Sequence, residues 1–99
     1  AIGRIAASIM TMRRMSISVA GMLENQKDAS VEAALVKELG NNFEKLLPEI
    51  ARMALPSGVE QSLYRRTYEE TMLLSPSFTL RGGTREILRG VIARGLGLR

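Results

Sequence analysis

Residues 80–94 carry the strongest signal for the fold and read Leu80-Arg81-Gly82-Gly83-Thr84-Arg85-Glu86-Ile87-Leu88-Arg89-Gly90-Val91-Ile92-Ala93-Arg94. Gly82 and Gly83 allow positive φ and the close approach of another molecule, because neither carries a Cβ. Thr84 is a favoured N-cap residue, and Glu86 puts a carboxylate in the first helical turn, where the helix dipole favours it. The pattern predicts a loop that leads into an amphipathic helix, whose first N–H groups are suited to an anion or phosphate.

This final helix is predicted to have one apolar stripe and one basic face. The stripe recurs one turn apart and consists of Ile87, Leu88, Val91 and Ile92. The other face carries Arg85, Arg89 and Arg94. We therefore expect the apolar stripe to pack inward and the arginines to lie on the opposite side.

Three upstream segments show the same helical periodicity. The first runs from Ala1 to about Gln26, with a stripe at Ile2, Ile5, Ile9, Met12, Val19 and Leu23. The second is capped by Asp28 or Ser30 and has an apolar face at Val31, Leu35, Leu39, Phe43, Leu46 and Ile50. Pro48 lies inside this segment and is expected to kink the helix or end it nearby. The third runs from Val59 to Ser75, with inward positions predicted at Val59, Leu63, Met72 and Leu73.

Local signals within the third segment support a helix with a defined end. Arg65 and Arg66 precede Glu69 and Glu70 by one turn each, a spacing that stabilises an exposed helix face. The helix is predicted to stop at Ser75-Pro76, because a residue before proline avoids the α region. Four helices with short links predict an all-α fold, an up-down helical bundle of about four helices in a single domain over residues 1–99.

The composition excludes several kinds of chemistry. The 99 residues include no Cys and no His, which excludes disulfides, thiolate metal sites and Ser-His triads. Aromatic residues make up only 4%, so the core is expected to be aliphatic, with six Met residues filling its gaps. No apolar run reaches the roughly 18 residues of a membrane span. We expect no metal, no membrane span and a cytoplasmic location.

The net charge of +4 leaves two interpretations open. The chain enters a helical pattern at Ala1 without a cap, so we expect a C-terminal fragment whose charge is balanced elsewhere in a parent chain. The alternative is a basic helical interaction module that binds a partner protein or nucleic acid. Scarce aromatics and arginines spread over several segments disfavour nucleic acid.

The residues after the two glycines resemble a known family. The final segment is similar to the C-terminal end of acyl-CoA dehydrogenases, and the similarity lies in Gly-Thr-Arg-Glu-Ile-Leu-Arg, then Val-Ile-Ala-Arg, then Leu-Gly-Leu. The match is dense near the end of the chain and looser upstream. The resemblance implies the C-terminal helical domain of a flavoenzyme that performs α,β-dehydrogenation of acyl-CoA, with FAD held between this domain and a β-domain and across a subunit boundary.

By this resemblance, Gly83, Thr84 and Glu86 contact FAD. Gly82 stands where many family members carry the catalytic glutamate, and glycine offers no proton acceptor, so no catalytic residue is assigned here. The family's Gly-Gly-x-Gly segment is also missing, and Leu55-Pro56-Ser57-Gly58 stands in its place. The implied partners are the acyl-CoA substrate, the rest of the parent chain and an identical or paired subunit, and the isolated chain is expected to be inactive.

The first helix is predicted to lack a neighbour that the parent chain would supply. Its apolar stripe at Ile2, Ile5, Ile9 and Met12 would then be exposed. Because exposed apolar patches seldom stay solvated, we expect the isolated chain to self-associate through this stripe.

Overall fold

The computed structural model describes residues 2–54, 63–80 and 83–98. They form four α-helices and a short 3₁₀ helix: α1 (Ile2–Glu24), α2 (Ser30–Ala54), α3 (Leu63–Leu74), the 3₁₀ helix (Ser75–Leu80) and α4 (Arg85–Gly95). These ranges contain no strand, so the prediction of an all-α helical bundle is confirmed. Arg81, Gly82, Val59 and the segment 55–58 lie outside the described residues.

Helices α1 and α4 end in the same hydrogen-bonded cap, in which a residue with positive φ reverses the chain. After α1, Gln26 has φ 56°, and the N–H groups of Gln26 and Lys27 donate to the carbonyls of Leu23 (3.0 Å) and Met22 (2.9 Å). After α4, Gly97 has φ 80° and Leu98 N–H donates to the Ala93 carbonyl at 2.8 Å. The first helix therefore stops two residues before its predicted limit.

Helix α2 begins with a side-chain cap and runs through its proline. The Asp28 carboxylate accepts hydrogen bonds from the N–H and the hydroxyl of Ser30, so the capping oxygen belongs to Asp28. Pro48 is buried and α2 continues to Ala54, so the proline does not end the helix. The ring lines an apolar cleft with residues of α1 and α3, and this packing offsets the hydrogen bond that proline cannot donate.

Helix α2 lies between the other helices, and its faces toward α1 and α4 differ in character. The predicted apolar face points toward α1, where Leu39, Phe43 and Leu46 line a cleft with Met12. A second face, one third of the way around the helix, carries Ala34, Glu38 and Asn41, which are all buried. This second face packs against α4. The sequence pattern predicted only the first face, because periodicity registers apolar side chains and this second face is small and polar.

The predicted stripe of α1 divides between two sides of the helix. Half-buried residues turn toward α2 and recur at spacings of three and four: Ile5, Ser8, Met12, Met15, Val19 and Met22. Ile2, Ile9 and Leu23, by contrast, are 84%, 50% and 61% exposed. The prediction that Ile5 and Met12 belong to an uncovered stripe is therefore wrong, since α2 covers that side.

Three inward assignments in the later helices are also wrong. Leu63 and Leu73 are 81% and 83% exposed, because α3 turns the face with Tyr64, Thr67 and Tyr68 toward Pro48 of α2. In α4, Leu88 is buried as predicted, whereas Ile87 is exposed. The predicted stop at Ser75-Pro76 is confirmed, and the pairs Arg65–Glu69 (3.1 Å) and Arg66–Glu70 (3.4 Å) form on the surface.

The apolar core is thin for a chain of this size. Among the described residues, the buried apolar side chains are Ala29, Ala34, Pro48, Ile50 and Leu88. The molecule measures 52 × 25 × 20 Å with a radius of gyration of 16.7 Å, against about 13 Å for a compact domain of 100 residues. Much of its apolar surface is therefore left for other molecules or other segments to cover.

Candidate functional site

The start of α4 adopts the conformation that the two glycines predict. Gly83 has φ 122°, a value that side chains with a Cβ rarely adopt. Thr84 follows in an extended conformation as the N-cap residue, and its carbonyl accepts the Leu88 N–H at 3.0 Å. The predictions of positive φ at Gly83 and of an N-cap at Thr84 are confirmed.

Backbone conformation, and not a lack of space, is what requires glycine at position 83. A Cβ built there would approach only the Leu88 side chain among the described residues, at 3.5 Å, which is ordinary van der Waals contact. The turn therefore combines a φ that glycine adopts without strain with a side that the described residues leave open, and this open side permits another molecule to approach the backbone.

The start of α4 carries a carboxylate of its own. Thr84 makes no side-chain capping bond. The pKa of the exposed Glu86 carboxylate is lowered, because its own backbone N–H and the nearby Thr84 hydroxyl favour the charged form. Because Glu86 puts a negative charge in the first turn of α4, the turn is less suited to a phosphate than the sequence predicts, and better suited to hydrogen-bond donors.

A buried carboxylate of α2 binds the N-terminal part of α4. Glu38 Oε1 accepts hydrogen bonds from Arg85 Nε (3.2 Å) and Arg89 Nε (3.1 Å), so one oxygen joins two consecutive turns of α4 to α2. The side chains of Glu38, Arg85 and Arg89 are 9%, 31% and 61% exposed. Two cations beside one carboxylate explain why an acidic side chain is tolerated in the interior.

Sequence reasoning missed Glu38 and placed both arginines on the face opposite the packing surface. The pattern did contain one signal, because Arg85 and Arg89 are one turn apart and can reach a single carboxylate on a neighbouring helix. Close to Glu38, the fully buried Asn41 adds a second polar group to this interface. Glu38 Oε2 and Asn41 Nδ2 are both buried without a hydrogen-bond partner among the described residues.

The structure brings together Gly83, Thr84 and Glu86, the three predicted cofactor-contacting residues, in one continuous turn. Gly82, the position of the usual catalytic glutamate, lies outside the described residues. Within the described ranges, no group of three or more His, Cys, Asp or Glu side chains is arranged to hold a metal ion. None of the described helices is long and apolar enough to cross a membrane.

Comparison with protein-family models, curated proteins and solved structures found no match to this chain. The resemblance to acyl-CoA dehydrogenases therefore rests on the residues of the final quarter of the chain, and the function that it implies is a proposal.

Proposed function

We propose that this chain is the C-terminal helical domain of an acyl-CoA dehydrogenase-like flavoprotein, and that the turn Gly83–Glu86 contacts FAD in the parent protein. The observation that supports the proposal most directly is the φ of 122° at Gly83, immediately before the N-cap Thr84 and the first-turn Glu86. The family motif requires a glycine at this place, and the conformation of the turn gives an independent physical reason for one.

The side chains of the turn fit part of FAD and not all of it. The Glu86 carboxylate and the Thr84 hydroxyl oxygen are hydrogen-bond acceptors, which suit the sugar hydroxyls and amino group of a dinucleotide. They do not suit its phosphates, because Glu86 is itself anionic. Gly83 leaves space for the cofactor beside the backbone. FAD would supply the hydride acceptor of the dehydrogenation, and these residues would hold and orient it.

The Glu38 cluster acts in this proposal as the support of the turn. Its two charged hydrogen bonds fix Arg85, which precedes Glu86, and Arg89, which lies almost one turn after it, against helix α2. A turn built on a rigid helix pair positions its polar groups more accurately than a free loop does.

The thin core agrees with a domain that packs against a larger body. Seventeen large apolar side chains are exposed among the described residues, including Leu63 and Leu73 of α3. In the proposal, the rest of the parent chain and an identical or paired subunit cover part of this surface. The catalytic base comes from outside this chain, since Gly82 provides no carboxylate.

The alternative, a basic module that binds nucleic acid, receives less support. Among the residues that the structure describes, five arginines are engaged in ion pairs, and they are Arg52, Arg65, Arg66, Arg85 and Arg89. These pairs disperse the positive charge over three helices, whereas a nucleic-acid site needs a concentrated basic surface.

Flavin content per folded subunit of the full-length protein tests the proposal. Gly83→Ala should lower it, because an L side chain is strained at this φ and the Cβ takes up cofactor space. Thr84→Val should also lower it, since it removes one hydroxyl and keeps the shape. Gly90→Ala is the matched control, because a Cβ at Gly90 meets nothing within 4 Å and lies on the same helix.

Flavin is measured by absorbance, and the folded fraction by circular dichroism. Full flavin occupancy in both Gly83→Ala and Thr84→Val would reduce the turn to a structural element and refute its role at the cofactor. A separate activity assay uses the purified chain with FAD, an electron acceptor and several acyl-CoAs. We expect turnover no higher than the free-flavin background, and clear turnover would contradict the absence of a catalytic base.

A further inference from the structure

Helix α1 has a second apolar side that the fold does not use. This outer face lies opposite the residues that contact α2, and it consists of Ile2, Ala6, Ile9, Met10, Arg13, Ile17 and Ala20. Ile2, Ile9, Met10 and Ile17 are 84%, 50%, 62% and 62% exposed. A helix that is apolar on two sides is normally covered on both, because leaving either apolar side in contact with water is unfavourable.

The outer face has the layout of a helix-packing surface. Ala6, Arg13 and Ala20 follow one another two turns apart and form a central row. Ile2 and Ile9 border this row on one side, and Met10 and Ile17 border it on the other. The small alanines leave hollows between larger side chains, which is the arrangement into which a neighbouring helix inserts its own residues.

Arg13 determines what kind of helix fits. Its side chain is exposed in the middle of the outer face and makes no ion pair with any described residue. From Ile2 to Leu23, α1 contains no acidic residue, whereas Arg4 and Arg14 add further positive charge. A molecule that covers this face must bring a carboxylate to Arg13, or it leaves the guanidinium desolvated without a partner.

Self-association, which the sequence predicts for this helix, does not meet this requirement when two copies pair through the same outer face. Arg13 is the midpoint of Ile2–Glu24, so both parallel and antiparallel pairing of two full outer faces would place Arg13 against Arg13. A membrane surface fits poorly as well. Interfacial helices carry their basic residues on the polar face, and here the arginine stands at the centre of the apolar one.

We propose that the outer face of α1 binds an amphipathic α-helix of an acidic partner, whose apolar contact residues flank a central carboxylate that pairs with Arg13. The net charge of +4 favours the approach of such a partner. This inference does not depend on the proposed cofactor role of α4, because the two surfaces belong to different helices.

Two synthetic peptides test the partner chemistry against the full 99-residue chain. Both are three-heptad amphipathic helices with Leu at the contact positions, and they differ only at the central contact residue, which is Glu in one and Lys in the other. Fluorescence anisotropy should show about ten-fold tighter binding of the Glu peptide, the sum of one attraction gained and one repulsion avoided. The difference should shrink as salt is raised.

Charge reversal on the chain provides the decisive comparison. Arg13→Glu should invert the preference, so that the Lys peptide binds about ten-fold tighter than the Glu peptide. Arg14→Glu is the matched control, because it makes the same change in net charge one residue outside the outer face, and it should leave the preference for Glu in place. Both positions are exposed, so we expect both variants to keep the fold, and circular dichroism checks this.

Three results would overturn the proposal. The first is equal affinity for the two peptides, and the second is the same response of Arg13→Glu and Arg14→Glu. The third is occupancy of the outer face by a second copy of the chain or by a membrane. A second copy would appear in sedimentation as a dimer that Ile17→Asp dissociates, and a membrane as binding to anionic lipid vesicles that Ile17→Asp abolishes.

Discussion

Gly95, the last residue of α4, lies directly against Val31 in the first turn of α2, so that a Cβ on the glycine would overlap Val31 Cγ2 and lie 3.2 Å from Val31 Cβ. This close approach joins the end of one helix to the beginning of another. A larger residue at position 95 would force the two helices apart.

The contact predicts opposite effects for two glycines of the same helix. Gly90→Ala should stabilise the chain by about 0.5–1 kcal/mol, because alanine loses less backbone entropy in a helix and a Cβ there meets nothing. Gly95→Ala should destabilise it by about 1–3 kcal/mol, because the overlap with Val31 exceeds this gain. Chemical denaturation followed by circular dichroism measures both changes.

Removing the Val31 methyl groups should rescue the destabilised variant. In the double variant Val31→Ala/Gly95→Ala, the free energy of unfolding should exceed the value expected from the sum of the single variants. Simple additivity would show that α2 and α4 do not touch at this point.

The Glu38 cluster predicts a large cost for a change of one atom. Glu38→Gln should destabilise the chain by about 2–4 kcal/mol, because it leaves two arginines beside a neutral amide in a partly buried site. Glu49→Gln is the control, since its pair with Arg52 is exposed and contributes about 0–1 kcal/mol. Equal effects at the two positions would contradict a structural role for the buried carboxylate.

The two arginines of the cluster should not be equivalent. Arg85 is 31% exposed and Arg89 is 61% exposed, so water replaces the Arg89 interaction more easily. Arg85→Gln should therefore lower the free energy of unfolding more than Arg89→Gln does. Denaturant midpoints of the two variants compare them directly, and the reverse order would be incompatible with the described geometry.

The sequence was sufficient for the features that local chemistry determines. Ser75-Pro76 ended α3, Gly83 took positive φ, and Arg65 and Arg66 paired with the acids one turn later. Each outcome depends on residues within about one helical turn, where propensity and sterics are decisive.

The same sequence patterns did not reveal which faces of the helices pack against one another. Helix α2 contacts neighbours on two faces, and the face with Glu38 and Asn41 is polar, so apolar periodicity did not reveal it. Ile87 and Leu88 are adjacent apolar residues, and only the position of α2 decides that Leu88 is buried. The contact of Gly83, Thr84 and Glu86 with FAD stays a prediction, because it concerns a molecule outside the chain.

The cap of α2 predicts a loss of stability in acid. Hydrogen bonds from the hydroxyl and the backbone N–H of Ser30 lower the pKa of Asp28. The unfolded chain therefore binds this proton more readily, so the contribution of Asp28 is complete above the ordinary carboxyl range, near pH 4, and disappears as the pH falls through the lower folded value.

Unfolding free energies measured from neutral to acid pH test this direction. Asp28→Asn should flatten the acid limb of the stability curve, because the amide does not titrate. The control is Glu24→Gln, because the Glu24 side chain has no hydrogen bond or ion pair among the described residues. If both variants change the curve equally, Asp28 has no special role. Glu86→Gln should act in the same direction as Asp28→Asn, since the pKa of Glu86 is also lowered.

The two helix-end caps provide the last prediction, because they share one geometry and differ in the residue at positive φ. Gln26 and Gly97 occupy the same position of the cap, with φ 56° and 80°. A side chain with a Cβ costs about 1–2 kcal/mol in this left-handed region, and glycine avoids most of that cost. Gln26→Gly should therefore stabilise the chain by about 1 kcal/mol, and Gly97→Ala should destabilise it by a similar amount. At about 100 residues such changes shift the melting temperature by roughly 4–8 °C in opposite directions, which calorimetry resolves. If Gln26→Gly lowers the melting temperature, the left-handed conformation of Gln26 costs less than the backbone entropy that glycine gains in the unfolded chain, and the expected stabilisation is refuted.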